Sequence, residues 1–430
     1  MSNYQLKYSQ QNSKLAWQII LSLFGVITLC FLVGIGQVLV PIFPLGSLAV
    51  GIFLYLRYPI LYVGFTWWLW FLAPFIRRMI DHQAGHFTPG PWILSPLLVT
   101  FISAITLIKY LPKLHYRHSL PFLLSLAGVC YGFFIALLTM PINGQTVIHF
   151  LSWSTPILFG FHLYVNWQDY PHYRQNLEKV FYWGVLVMGI YGIFQYLVAP
   201  QWDIFWLNSL GPASVYYGRP HPLGLRVWST MMIPQKFGAV MAGGLLLLFV
   251  RKGILRFLVA GVGYLAFVLT TIRTAWLNWL VGLLFLLASV RLRWQTRIIT
   301  SIIIASLLIL PLTMVEPFAS VVVSRIESFS HVEEDGSYHA RLEGYNALIQ
   351  PALSEFFGRG IGTKLDTSKT DLAAYDNGLL VLLFSLGWFG SIVYLSGIVL
   401  IFVKLLPVSY THLTLPTTCR VCRSRWSPYD

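Results

Sequence analysis

Long apolar stretches separated by short polar ones set the pattern of this chain from residue 15 to residue 403. The runs fall at 15–40, 45–56, 60–76, 92–108, 120–140, 147–167, 180–198, 233–250, 254–272, 275–290, 298–315 and 379–403. Most come close to the roughly 17 to 25 residues that a helix needs to cross a bilayer, although the second is short. Nothing in them alternates with a period of two, so they predict helices and not barrel strands. Lipid offers backbone groups no partner, and a helix satisfies its own. The fold expected is all-α and polytopic, with about twelve transmembrane helices. No internal repeat of transporter type is visible.

The polar intervals give the runs a direction. With the amino terminus inside, the inner loops collect Arg57, Lys109, Lys113, Arg117, Arg174, Lys179, Arg251, Lys252, Arg291, Arg293, Arg297 and Lys404, as the positive-inside bias requires. Arg77 and Arg78 fall outside and break it. Either the second and third helices are drawn wrongly as a pair, or other contacts hold those two arginines.

The same alternation places two longer segments outside, 199–232 and 316–375. The parts expected are therefore an inner terminus at 1–14, a helical bundle at 15–198, the first outer loop, helices across 233–315, the large outer loop, and a last helix at 376–406. Ten of the fifteen acidic residues lie between Glu316 and Asp376. Loops of such length are usually functional. Within "DGSYHARLEGYNALIQPALSEFFG", Leu342, Tyr345, Leu348 and Ile349 recur at helical spacing, with Asp335 or Ser337 as a cap. This predicts an amphipathic helix on the outer face, followed by a glycine turn at "GRGIG".

Composition agrees with the membrane reading: 57% of residues are hydrophobic, 10% are charged, and there are 16 tryptophans. The net charge of +14 is spread over small loop clusters and not along one soluble stripe, which argues against nucleic acid. The first run is too long for a signal-peptide core and lacks a cleavage site, so it is read as a retained helix. Cys30 and Cys130 sit in separate apolar runs and read as small buried hydrophobes. From Val408 the tail resembles translated sequencing adapter, so 407–430 is expected to be non-native. The "CRVC" at Cys419 and Cys422 is half of a zinc or redox spacing and is given no role.

A few polar residues carry candidate chemistry. Arg273, in "TTIRTAW", stands at the outer end of one run, and Arg226, in "LGLRVWSTMMIP", just before another. Two guanidiniums there suit a pyrophosphate, because each offers a planar fork of donors and never loses its charge. Asp376 lies at the outer mouth of the last helix. Arg219 and His221, in "GRPHPLG", and Arg341 and Glu343, in the large loop, are candidates for substrate contact.

Simpler readings stand beside these. Arg273 as a headgroup anchor, Arg226 as a solvated loop residue, Asp376 as a helix cap and Arg341 as a partner of Glu327, Glu333 or Asp335 all fit the sequence. His221 fits a stiff exposed turn between its two prolines. Trp202, Trp206, Tyr216, Tyr217 and Trp228 suit either sugar stacking or, more commonly, a membrane interface. His82 and His86 read as loop residues, since Gly85 and Pro89 argue against a helix and two histidines make no metal site.

The order of "RVWSTMMIPQKFGAVMAGG", "TTIRTAW", a long outer loop, "FGRGIG" and "DNGLLVLLFSLGWFG" resembles the O-antigen ligase and polymerase superfamily of bacterial glycosyltransferases. The resemblance covers roughly 223–403. Asn377, Leu380 and Gly387 keep the register of the family's last motif, while Asp376 stands where that motif has histidine, a departure that looks more like exopolysaccharide polymerases than lipid A-core ligases. The resemblance implies a bacterial inner-membrane enzyme whose long loop is periplasmic. Its donor would be a polyprenyl-pyrophosphate-linked oligosaccharide, its acceptor a glycan or lipid, and it would need no cofactor or metal. Arg226 and Arg273 would then stabilise the leaving pyrophosphate and Asp376 would act as general base. A transporter or flippase of lipid-linked glycan is the main alternative, and a non-catalytic membrane scaffold is a third.

Overall fold

The computed structural model describes residues 13–86, 94–113, 116–139, 141, 143–249, 251, 253–290, 292, 295–296, 298–300, 302–303, 345–346, 348–363 and 378–414. Helices account for nearly all of them, and no strand occurs among the described residues. The chain is an all-α protein of membrane type. Among the described residues six helical stretches are long and apolar enough to cross a bilayer, against the dozen expected: Lys14–Val33, Gly36–Arg57, Pro59–Ala84, Ser119–Thr139, Trp167–Val198 and Gly378–Lys404. Shorter apolar helices lie at Leu94–Tyr110, Leu255–Val268 and Arg273–Ser289, and most of the run expected at 298–315 lies outside the described residues.

The chain divides into two compact units. The first comprises Met1–Leu107, Leu158–Leu283 and Thr300–Ser330. It opens with α1 (Ser13–Val33), which stops seven residues before the apolar run does. Gly34, at φ 80°, turns the chain, and Gln83 braces the turn by accepting from Gly36 N at 2.9 Å and donating to Phe31 O at 2.8 Å. The residues released lengthen the next helix, α2 (Leu39–Arg57), which removes the difficulty of its short run.

Proline starts α3 (Pro59–Ala84) and Gly85, at φ 71°, ends it. Pro fits the first helical turn because its missing N–H has no partner there in any case, and Gly takes the left-handed cap without strain. The helix carries Arg77, Arg78 and His82 within it, so these are not loop residues as expected.

The fourth run is two helices, α4 (Leu94–Phe101) and α5 (Ala104–Tyr110). The buried Tyr62 hydroxyl donates to Val99 O at 2.7 Å beside the break. In the second unit lies α6 (Tyr116–Thr139), and α7 (Gly144–Val165) follows it in the chain. The next helix, α8 (Tyr170–Val198), begins ten residues ahead of its apolar run. It thereby draws Arg174 onto a helix, paired with Glu178 at 2.7 Å. After it come α9 (Gln201–Ser209), α10 (Pro234–Leu248), α11 (Leu255–Val268) and α12 (Arg273–Ser289).

Two apolar clusters hold the first unit together, one around Leu39, Phe43, Leu54 and Leu69, the other around Val185, Met188, Phe237, Met241 and Ala266. Where α8 crosses α11, each helix sets a glycine against a valine of the other. A Cβ on Gly189 would lie 2.9 Å from Val262 Cγ1, and one on Gly263 would lie 2.6 Å from Val185 Cγ1. In lipid, where apolar helices gain little from leaving the solvent, such close contact is the main attraction between them.

The second unit comprises Ile108–Ile157, Leu284–Ile299 and His331–Asp430. Its last helix, α13 (Gly378–Thr414), packs along α6 and breaks at Gly387, at φ 63° and ψ −174°. In an unbroken helix Trp388 N and Phe389 N would donate to Phe384 O and Ser385 O. Here they donate instead to Glu355 O at 3.1 Å and Phe356 O at 3.3 Å, while Phe384 O and Ser385 O accept from Arg359 N at 2.7 Å and Gly360 N at 3.1 Å. The "GRGIG" turn and the residues before it thus supply partners for four of the backbone groups that the break releases. Ile361 N extends the seam to Gly132 O on α6 at 3.0 Å.

The described residues between 345 and 354 are helical, and Leu348 and Ala352 pack on Leu380 and Phe384. The carboxyl half of the amphipathic helix and its glycine turn are therefore as expected, and residues 335–344 lie outside the described part. Cys30 is buried as expected, whereas Cys130 is exposed on α6. The helix α13 continues to Thr414, eight residues past the expected boundary at Leu406.

Gly358 has φ 80°, and a Cβ there would lie 2.6 Å from Leu386 C. Backbone lies on both sides and cannot step aside. Gly358→Ala is expected to cost about 3 kcal/mol or more, the sum of a left-handed alanine and an overpacked seam. Thermal unfolding of the detergent-solubilised protein measures it, and an unchanged transition would mean that the two glycine backbones do not meet.

Candidate functional site

At one end of the first unit, α8 leaves the bundle through Ala199, at φ 48°, and the chain folds over the end before re-entering at Pro234. The return path is a small hairpin. Gly218 and Leu225 bridge, with Arg219 N donating to Gly224 O and Arg226 N to Tyr217 O, both at 2.8 Å. Leu223 N donates to Tyr196 O at 2.8 Å and ties the tip to α8. Arg219 and His221 are exposed on that tip, where solute can reach them.

Beneath the hairpin, Trp206, Tyr217 and Trp228 are buried against one another, with ring centroids 5.3 to 5.8 Å apart. Their expected role at a sugar or membrane interface is corrected: they form the core of the folded loop. An excursion of this length needs an apolar centre of its own, and three packed rings, Tyr217 set edge-on to both tryptophans, supply it. Burial pushes the Tyr217 phenol up to about 12. Trp202 is half-buried and donates to Tyr191 Oη at 2.7 Å, which leaves Tyr216 the exposed ring of the five.

Arg226 follows the hairpin, partly exposed, with one guanidinium nitrogen 3.4 Å from Tyr216 O. The next residue, Val227, donates its N–H to Leu269 O at 3.0 Å. Leu269 caps α11, and four residues later Arg273 begins α12. The link between the helices is tight: Thr271 has φ 55°, and Thr270 Oγ1 accepts from Ile272 N at 3.3 Å. The segment bearing Arg226 therefore lies against the turn leading to Arg273, and the two sequence-predicted arginines stand at the same end of one unit.

Among the described residues, the charged side chains that reach the surface at this end are cations. An α-helix carries partial positive charge at its amino terminus, which acidic residues usually offset. Neither α10 nor α12 has an acid in its first turn, and they carry Lys236 and Arg273 there instead. Two helix termini and the cations Arg219, Arg226, Lys236 and Arg273 make a surface suited to a multiply charged anion. Lys236 escaped the sequence reading, although its place two residues after a helix-starting proline marks it.

Below this surface is a buried polar cluster that the sequence reading missed. Arg78, 0% exposed, pairs with Asp203 through Nε at 2.7 Å and donates to Ser229 O at 2.5 Å and to Met231 O. The rings of Phe75, Trp206 and Trp228 surround its guanidinium within 6.0 Å. The other Asp203 oxygen accepts from Tyr191 Oη at 2.8 Å and Gln195 Nε2 at 2.7 Å. Gln195 in turn accepts from Trp228 N at 3.1 Å and Ser229 N at 2.8 Å. Neighbouring Arg77 is also buried, beside Asp81 at 3.4 Å. Arg77 and Arg78 broke the charge rule because they are interior residues with carboxylate partners.

Asp376, Arg341 and Glu343 lie outside the described residues. Among the described residues no group of three or more histidines, cysteines or acids converges as metal ligands would. The chain matches no family model, no curated protein and no solved structure.

Proposed function

We propose that the protein is a glycosyltransferase of the bacterial inner membrane, acting at the periplasmic face on a polyprenyl-pyrophosphate-linked oligosaccharide, as an exopolysaccharide polymerase or an O-antigen ligase-like enzyme does. About twelve spans and membership of that superfamily are part of this reading. The observation that carries it is the Val227–Leu269 hydrogen bond, which seats the Arg226 segment on the turn leading to Arg273. An activated donor needs no nucleotide or metal. It needs charge stabilisation where the pyrophosphate departs, because negative charge grows there in the transition state. Arg226 and Arg273 supply it, Arg219 and His221 meet the substrate from the hairpin tip, and Asp376, with Arg341 and Glu343 in the outer loop, serves the acceptor.

The test incubates purified protein with polyprenyl-pyrophosphate-linked oligosaccharide and separates the products by size. A ladder of longer lipid-linked chains with release of polyprenyl pyrophosphate is expected of a polymerase, and transfer only on addition of a second acceptor is expected of a ligase. Absence of both favours a transporter of lipid-linked glycan, the reading to which the break of α13 at Gly387 lends support, since transporters form sites at interrupted helices.

A further inference from the structure

We infer that Arg78, acting with Asp203 and Gln195, is a positioning unit that sets the conformation of the segment presenting Arg226; the inference rests on the reading of Arg226 as a pyrophosphate ligand. Residues 228–231 have no helix or sheet ladder of their own, so their buried backbone groups must find partners elsewhere. The cluster provides them in sequence. Gln195 takes the N–H groups of Trp228 and Ser229, and Arg78 takes the carbonyls of Ser229 and Met231.

Ser229 sits at φ 53°, a conformation that a non-glycine residue holds only when its surroundings impose it. Its hydroxyl is spent on Met188 O at 2.6 Å. Arg226 lies two residues before Trp228, between this clamp and the Tyr217 bond. Its backbone is therefore fixed on both sides, and its guanidinium projects from a rigid base. Charge stabilisation depends on such fixation, because donors that need no rearrangement in the transition state are worth most.

Removing one member of a buried pair leaves an uncompensated charge, so single substitutions would confuse positioning with stability. The variant that separates them is Arg78→Met with Asp203→Asn. It deletes both charges, leaves an acceptor for Tyr191 and Gln195, and withdraws the donors to Ser229 O and Met231 O together with the guanidinium's contacts to the rings of Phe75, Trp206 and Trp228. Protein yield and unfolding temperature are expected to fall less than in Asp203→Ala, because no unpaired charge is left buried. Per folded molecule, kcat should fall about 10- to 100-fold while the donor KM moves less, because loss of orientation is felt most in the transition state.

A second readout does not depend on activity. Ser229 is 0% exposed, so Ser229→Cys in a background without the four native cysteines should react slowly with a water-soluble maleimide. In the double variant the rate should rise about tenfold or more as the clamp opens. A double variant that keeps the wild-type kcat and shelters the thiol introduced at position 229 would overturn the inference. If the wild-type protein transfers no glycan, the proposed function falls, and the maleimide rate alone decides whether Arg78 holds the segment.

Discussion

Asp203→Ala is expected to be the most damaging single substitution in the first unit, costing about 3 to 5 kcal/mol. The carboxylate accepts from two buried donors through one oxygen, Gln195 Nε2 at 2.7 Å and Tyr191 Oη at 2.8 Å, and its other oxygen pairs by charge with Arg78 Nε at 2.7 Å. Alanine would leave a guanidinium with no exposure to solvent and no anion beside it, which is far costlier than losing an exposed ion pair. By contrast Glu355→Ala removes a pair with Arg359 in which both side chains meet solvent, and about 1 kcal/mol or less is at stake there. In detergent, the apparent unfolding temperature of Asp203→Ala should drop by about 5 to 10 °C, the shift expected for a cooperative unit of this size. Asp203→Asn, which keeps an acceptor oxygen, should fall between the two. A melting curve like that of the wild type for Asp203→Ala would mean that Arg78 is neutralised by some other group.

The cluster shows where sequence reasoning stops. Its one advance signal was a violation: two adjacent arginines in a short outer interval, against the charge bias that the inner loops follow. Asp203, lying outside the acidic run at 316–376, was the complementary signal. Pairing them needed the knowledge that α3 continues past Ile76 to Ala84, and the apolar run ends before the helix does because its last turns face protein and not lipid. Run lengths misjudged α1 for the opposite reason, since Gly34 turns a chain whose hydrophobicity continues.

Punctuation by proline and glycine was the more reliable guide. Pro59, Pro234 and the glycines of "GRGIG" all mark boundaries that the structure has. What such residues do not reveal is their partner. That Gly358 meets Gly387 follows from the hydrogen bonds that a broken helix must find elsewhere, a requirement of three-dimensional packing with no local signature. The loop aromatics illustrate the same limit. A tryptophan followed by a serine and a threonine looks the same whether Trp228 faces a sugar or a core, and only the rings of Trp206 and Tyr217 decide it.

For the candidate site, the order of the arginines was legible and their placement at the same end of one unit was not. That placement makes a sharp expectation about Arg273. Arg273→Ala should lower kcat/KM for the lipid-linked donor by about 100- to 1000-fold, the usual effect of removing one preorganised donor from a developing oxyanion. Arg273→Lys should recover part of this, because the charge survives while the planar fork that matches two phosphate oxygens does not. The loss of stability should be small beside this, because a cation at the first position of a helix opposes the helix dipole by about 0.3 to 1 kcal/mol and so offsets part of what its contacts contribute. A residue whose removal abolishes turnover while leaving the unfolding temperature nearly level is held in place by function and not by folding. Release of polyprenyl pyrophosphate, measured alongside thermal unfolding for the wild type and both variants, checks the two halves together. Full turnover in Arg273→Ala, or a loss of turnover matched by an equal loss of folded protein, would reduce Arg273 to an anchor at the membrane surface.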